Sequence, residues 1–321
     1  MMRQIRGAVL RGLGQVPGYE EFPAPVAGPG EAVVTVTAAA LKPFDVWWAA
    51  GVHPASPATF PQLTGADGVG TLADGRRVAF FGPVPPYGGM AEQALVRDGV
   101  WFDVPDDADD VAAAALLNPA GAAWKTLMVE GALTAGQTVL VLGATGTAGR
   151  IAAQLARLAG ARVVVAGRNQ RVLDDLLARG ADAAVRLDRP RAAASIAAAG
   201  PYDLVVDYLW GEPAEAAFAA LTSAELVASQ GRRQLRYVLV GMSAGQQARL
   251  PAMALRATPV QLIGSGFAGQ ASLREAAAAY RRVLELVRAG DIAVDIEVVP
   301  LTDVATAWTR SGEGPRIVFV P

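Results

Sequence analysis

The chain has 321 residues, 52% of them hydrophobic and 18% charged, with a formal net charge of −2. That length accommodates two domains of ordinary size, the charge offers no basic footprint for a nucleic-acid backbone, and no apolar run approaches the roughly 20 residues of a membrane span. Cysteine is absent and histidine occurs once, which excludes disulfides, thiolate catalysis and metal sites built from Cys or clustered His.

Met1 to Leu10 carries Arg3 and Arg6 without a following apolar run, so a cytoplasmic location and no membrane partner are expected. The first third then reads as short strands punctuated by Gly and Pro, at Gly7 to Leu10, Glu31 to Ala39, Arg76 to Phe80 and Ala91 to Val96, a β-rich domain. The acidic run Pro105 to Asp110 precedes the apolar Val111 to Leu117. Carboxylates there cap and complement the N-terminus of an incoming helix.

From Thr138 onward strand and helix patterns alternate. The expected strands are Thr138 to Leu142, Arg162 to Ala166, Ala183 to Leu187, Leu204 to Asp207, Tyr237 to Val240 and Val260 to Ile263. Helices are expected at Gly149 to Ala159 and Arg171 to Arg179. Such a run predicts an α/β class with a doubly wound parallel six-stranded sheet of Rossmann type. After Gly264 a long helix, Ser272 to Ala289, leads to Ile296 to Pro300 and a last strand, Arg316 to Val320, which are expected to return to the N-terminal domain.

The strand Thr138 to Leu142 runs into Gly143, Ala144, Thr145, Gly146, Thr147, Ala148 and Gly149, and an Ala-rich helix follows. Glycine spacing alone is weak, but a glycine turn between a strand and a helix is the context of a dinucleotide pyrophosphate site. About 20 residues on, where an acidic side chain would hold a ribose 2′-hydroxyl, the chain has Gly167, Arg168 and Asn169, with Arg171 just beyond. A guanidinium there pairs with a 2′-phosphate, so NADP(H) is expected over NAD(H). The plain alternative is a solvated loop arginine. Gly241, Met242, Ser243, Ser265, Gly266 and Phe267 fall at strand C-terminal ends, where ligands bind in such sheets, and are expected on the nicotinamide side.

Three further segments carry a family resemblance over nearly the whole chain. Ala39 to Asp45 resembles the G-V-N-P-x-D segment of quinone oxidoreductases and enoyl-thioester reductases, Gly65 to Gly70 resembles the G-H-E-x-x-G segment of zinc alcohol dehydrogenases, and Asn118-Pro119 before Trp124 resembles the Asn-Pro step of enoyl-thioester reductases. With the domain order, these resemble the medium-chain dehydrogenase/reductase superfamily. The resemblance implies a GroES-like substrate domain at 1–117 and 268–321, a cofactor domain at 118–267, and cofactor contacts at Pro43 and Asn118. Zinc-dependent members place a Cys near Lys42 and a His near Ala66; neither ligand is present here, which points to the zinc-free branch, with no metal, and to NADPH-dependent reduction of the C=C bond of quinones, enones or enoyl thioesters.

Hydride addition to an enone leaves an enolate that needs oxygen stabilisation and then a proton. Gly51 to Pro54 resembles the G-x-Y-P loop of enoyl-thioester reductases, which places His53 at the position of their suspected tyrosine proton donor. Lys42, one of only two lysines with Lys125, is a candidate to hold an enolate oxygen; the alternative is a surface lysine. Asp45 and Asp67 are expected to pair with Lys42 or fix the loop. Phe44, Trp47, Trp48 and Phe60 are expected as a group to wall an apolar pocket for a small-molecule substrate. A carbonyl or imine reductase, and a non-catalytic NADP(H) sensor, remain as alternatives. Val260 to Ile263 is expected at a sheet edge, where pairing with a second copy would cover its amides, giving a homodimer.

Overall fold

The computed structural model describes residues 3–188, 190–266, 272–312 and 314–321. In chain order the strands are β1 (Gln4–Leu10), β2 (Gly18–Pro23), β3 (Glu31–Ala40), β4 (Gln62–Leu63), β5 (Asp67–Leu72), β6 (Arg77–Phe81), β7 (Gln93–Arg97) and β8 (Trp101–Asp103). Then follow β9 (Thr138–Leu142), β10 (Arg162–Gly167), β11 (Ala183–Arg186), β12 (Leu204–Asp207), β13 (Leu235–Leu239), β14 (Val260–Gly264), β15 (Ile296–Pro300) and β16 (Arg316–Val320). The first four helices are α1 (Pro43–Ala49), α2 (Asp110–Trp124), α3 (Thr147–Leu158) and α4 (Gln170–Ala178). The chain divides into two compact units, Met1–Asn118 with Tyr280–Pro321, and Pro119–Ala279. Among the described residues no helix is long and apolar enough to cross a membrane.

The first unit holds a three-stranded sheet, β2-β1-β4, and a seven-stranded one ordered β15-β16-β3-β5-β6-β8, with β7 also paired to β3. Alternation sets the faces: along β3, Val34 and Val36 are buried and Thr35 between them is exposed, as a half-buried strand requires. A bulge between Val36 and Ala38 breaks that period, and Ala38, Ala39 and Ala40 are all buried, carrying the strand into α1. Strands β2, β4, β5 and β8 were not expected, being short or interrupted by Gly and Pro. Asp109 Oδ1 accepts from the Ala112 amide at 2.8 Å, the expected cap, while Asp110 and Asp107 pair with Arg77 and Arg288.

The second unit is built on six parallel strands in the order β11-β10-β9-β12-β13-β14. All five residues of β9 are buried, the continuous apolar pattern of a parallel strand covered on both faces. The chain winds from β9 outward to β11, then returns to the other side of β9 for β12; the order reverses between β9 and β12, and ligands bind at such a switch point. The doubly wound sheet matches expectation, with ends displaced by one or two residues; β13 starts at Leu235 and α3 starts at Thr147.

The unit division differs from the expected boundary at 267/268. It falls at Ala279/Tyr280, inside the helix Leu273–Arg288, where Tyr280 is buried and its hydroxyl donates to the Ala113 carbonyl at 3.1 Å. The helix α2 also runs further than expected, through Pro119 and into π-helical turns over Lys125–Glu130. Those wider turns bring residues five apart together, and Lys125 Nζ lies 3.0 Å from Glu130 Oε1.

Candidate functional site

In the second unit the glycine turn follows β9 and makes three separate demands. Gly143 has φ +85°, a backbone that glycine adopts without steric cost, and the amides of Gly143 and Ala144 donate to the Ala166 carbonyl of β10 at 2.9 and 3.0 Å. Gly149 allows close packing, since a Cβ there would sit 2.3 Å from the Gly143 oxygen. At Gly146 a Cβ would meet only the Gly143 oxygen, at 3.6 Å; the residue is exposed and caps α3 without a side chain. A tight turn, a close helix and an open approach are the three glycine roles of a pyrophosphate-binding turn. No side chain caps α3, and its first turn, which includes Thr147 and Ala148, has no acidic residue, so its leading amides and dipole suit an anion. The turn also touches β10: a Cβ on Gly167 would lie 2.4 Å from Thr145 Cγ2.

Directly after Gly167, Arg168 and Asn169 are exposed, as is Arg171 in the first turn of α4. Asn169 has a structural task, accepting from the Val172 amide at 3.3 Å as the N-cap of α4. Two guanidiniums at a helix N-terminus with no acidic residue in its first turn oppose the helix dipole, an arrangement that an anionic ligand would relieve.

At the end of β12 the sequence alone gave no warning of a buried anchor. Asp207 is fully buried; its Oδ1 accepts from the amides of Leu209 and Trp210 at 2.8 and 3.0 Å, and its Oδ2 accepts from the Tyr237 hydroxyl at 2.7 Å. Burial pushes its carboxyl up, with the Tyr237 hydroxyl and the two amides opposing. The turn it holds is strained: Trp210 has φ +54° and ψ −159°, a region nearly confined to glycine and costing about 1–3 kcal/mol for other residues. Gly241 and Ser243 complete this corner. A Cβ on Gly241 would lie 2.6 Å from the Tyr208 oxygen, and Ser243 Oγ donates to that oxygen at 3.1 Å. Met242 beside them is 37% exposed. At β14, the Ser265 amide donates to the Leu239 carbonyl at 2.7 Å and Gly266 is exposed; Phe267 lies outside the described residues.

In the first unit the candidate charged residues form one buried cluster. Lys42 is 3% exposed, and its Nζ donates to Asp67 Oδ1 at 2.7 Å and to the Ala40 carbonyl at 2.9 Å, with Asp45 Oδ2 at 3.2 Å. Asp45 further accepts from the Lys42 amide at 2.9 Å and, through Oδ1, from the Ala66 amide at 3.0 Å. Burial works against the Lys42 charge, yet Asp45 and Asp67 outweigh it and hold the ammonium above its ordinary pKa; burial pushes Asp67 up against the pull of Lys42. Arg316, 9% exposed and absent from the expected site, completes the cluster through a 2.8 Å bond from Nη1 to the Leu41 carbonyl.

The expectation for Lys42 therefore changes. It is no surface lysine: its Nζ donates to Asp67 and to the Ala40 carbonyl and lies beside the Asp45 carboxylate, which holds the ammonium within the cluster. Pro43 beside it is exposed and occupies the first turn of α1, where proline costs nothing. His53 is 8% exposed, meets Phe44 edge-on with ring centroids 4.8 Å apart, and accepts from the Ala55 amide through Nδ1 at 3.1 Å. An accepting Nδ1 puts the proton of the neutral ring on Nε2. Trp48 and Phe60 are partly buried and pack on the apolar core around Leu41, Ala49 and Trp308. Asn118 is exposed within α2.

A doubly wound sheet carrying a glycine turn, together with a β-rich unit formed by both chain ends, defines a two-unit Rossmann architecture. No family model matches the chain. It is 32% identical over 235 residues to a probable NADPH-dependent quinone reductase, tdiC, of Emericella nidulans, covering 66% of this chain and 62% of that protein. It is 29% identical over 165 residues to the quinone oxidoreductase of Lama guanicoe, covering 49% and 50%. The chain thus spans about half to three-fifths of the length of the curated relatives it matches. A mycobacterial quinone oxidoreductase structure superposes with a TM-score of 0.82 at 21% identity, covering 99% of this chain and 100% of that one. In sequence the chain is thus similar to quinone oxidoreductases, and in fold to a structure of that kind, the branch of the medium-chain dehydrogenase/reductase superfamily that its motifs resemble.

Proposed function

We propose that the protein is an NADP(H)-dependent oxidoreductase that reduces activated C=C bonds of small molecules such as quinones or enones, without zinc. The observation that carries this reading is the glycine turn, where Gly143, Gly146 and Gly149 each meet a different requirement of a pyrophosphate site. The similarity to a probable NADPH-dependent quinone reductase of Emericella nidulans supports the choice of cofactor. In this scheme the second unit binds the dinucleotide. Thr147 and Ala148 lie in the first turn of α3, beneath the pyrophosphate, while Arg168 and Arg171 hold the 2′-phosphate. Gly241, Met242, Ser243, Ser265 and Gly266 lie toward the nicotinamide.

When bound, the cofactor supplies a hydride. The first unit supplies the substrate site and, in His53, a proton on Nε2 for the carbanion left after hydride addition. Zinc has no place in the scheme because the Cys near Lys42 and the His near Ala66 that the zinc-dependent dehydrogenases carry are both absent from this sequence. Near the first of these positions the Lys42 ammonium supplies positive charge between Asp45 and Asp67.

The test is NADPH oxidation with a quinone, an enone, an aldehyde and a cyclic imine. Turnover of the first two supports the proposal, turnover confined to the aldehyde or imine replaces it with carbonyl or imine reduction, and tight NADPH binding without turnover points to a sensor. For the 2′-phosphate, Arg168→Ala is expected to weaken NADPH binding about tenfold, within the range of a lost charge-assisted bond, and to leave NADH binding unchanged. Equal losses for both cofactors would remove Arg168 from that role.

We further propose a homodimer. β14 is the edge of its sheet, and Leu262 on it, with Met253 and Leu255 on the helix before it, is 44–59% exposed. Light scattering is expected to give twice the chain mass, and Leu262→Lys a single chain mass; a monomeric wild type would end the idea.

A further inference from the structure

Trp210 packs in part against the apolar core of the second unit, yet its backbone has a conformation that local propensity does not account for. Two non-glycine residues among those described have positive φ, Ala132 and Trp210. Ala132 lies in the loop before β9, at the N-terminal end of the sheet. Trp210 lies at the opposite end, where β12 gives way to the helix Gly211–Ala220.

The chain uses glycine at its other turns here, Gly143 and Gly211, both with positive φ. A glycine at 210 would make the same turn without strain. The tryptophan is instead forced into it by neighbours that over-determine the backbone. Asp207 takes the Leu209 and Trp210 amides, the Ala244 amide donates to the Leu209 carbonyl at 2.8 Å, and Ser243 Oγ donates to the Tyr208 carbonyl at 3.1 Å. Strain maintained in this way at a ligand crevice points to use of the side chain.

The position suggests the use. Strands β10, β9 and β12 are adjacent and parallel, so their C-terminal ends share one edge of the sheet. The glycine turn leaves the middle strand, Arg168 follows one flanking strand and Trp210 the other. The indole meets Phe218 edge-on, at 5.8 Å between centroids and 80° between planes, and stays half-buried. It is thus braced from one side with part of its surface still accessible.

We propose that Trp210 is a stacking residue for the purine of the bound dinucleotide, kept in a glycine conformation because its indole faces the adenine. The inference rests on the dinucleotide reading above. Stacking is sequence-tolerant and needs only a π-face, so a shorter aromatic should serve and an aliphatic should not.

The experiment is calorimetric titration of the full chain with adenosine 2′,5′-bisphosphate, which carries the purine and the 2′-phosphate but no nicotinamide. Trp210→Leu, which keeps an apolar group against Phe218, is expected to bind about tenfold more weakly than wild type, and Trp210→Phe to stay close to wild type. Trp210→Gly, which relieves the φ strain, is expected to lose the same affinity as Trp210→Leu. Wild-type affinity in Trp210→Leu or Trp210→Gly, or equal losses in the Leu and Phe variants, would overturn the stacking role while leaving the cofactor reading intact. If wild type itself bound neither this probe nor NADPH, the cofactor reading would fall and the inference with it.

Discussion

Lys42→Met is expected to destabilise the protein by about 3–5 kcal/mol, the usual cost of leaving a buried charge without its partner. The cluster is balanced as it stands, with the cations Lys42 and Arg316 against the carboxylates Asp45 and Asp67. Removing the ammonium leaves one guanidinium against two carboxylates behind side chains that are 4% and 5% exposed at the Lys42–Asp67 pair. The double variant Lys42→Met with Asp67→Leu removes one charge of each sign and is expected to be more stable than the single variant, since apolar replacement of a whole buried pair is often neutral or better. Urea unfolding followed by tryptophan fluorescence measures both, because Trp47 and Trp48 lie in the same unit. A single variant as stable as wild type, or a double variant worse than the single one, would show that the cluster is not bound by charge balance.

The same variant has a pH signature. Burial already raises the Asp67 pKa, and removing Lys42 takes away the largest opposing influence, so it rises further. A carboxyl whose folded pKa exceeds its unfolded value stabilises the fold below the unfolded pKa and loses that contribution as pH rises through the folded one. The deficit of Lys42→Met relative to wild type is therefore expected to be smaller in mildly acidic than in neutral buffer.

His53→Gln is expected to lower kcat for enone or quinone reduction by about 10²–10⁴-fold, the contribution of a positioned general acid. Its KM for NADPH should not change, because the side chain belongs to the first unit and the proposed cofactor residues mostly to the second. Glutamine keeps a polar side chain of similar size in the loop but has no imidazole proton to give. Turnover at the wild-type rate in this variant would assign protonation to solvent and leave His53 as a packing partner of Phe44. A lower melting temperature without a change in kcat would do the same.

The two units differ in how much of them is legible from residue order. The Rossmann strands can be read locally because a buried parallel strand is a short, nearly unbroken apolar run, as in Thr138 to Leu142. The β-rich unit was read in part. Its strand β5 contains Gly68 and Gly70, where a Cβ would collide with Phe80 and with the Thr35 carbonyl; glycines kept for close approach of strands look like turns in a linear reading. The acidic run before α2 was legible as a cap because capping acts over three residues, as between Asp109 and Ala112.

Site residues divide along the same line. Sequence by itself determined the glycine turn, since Gly143, Gly146 and Gly149 act on a backbone only a few residues long, and it determined the absence of thiol chemistry. Only the tertiary structure decided what Lys42 does. Its partner Asp67 is 25 positions away, and Arg316 reaches Leu41 across 275 positions. Whether an ammonium is free or committed depends on acceptors that the fold assembles from β3, α1 and β5. The conformation of Trp210 was likewise invisible in the chain order, because a left-handed φ at a tryptophan has no local cause and exists only while Asp207 and the neighbouring loop hold it.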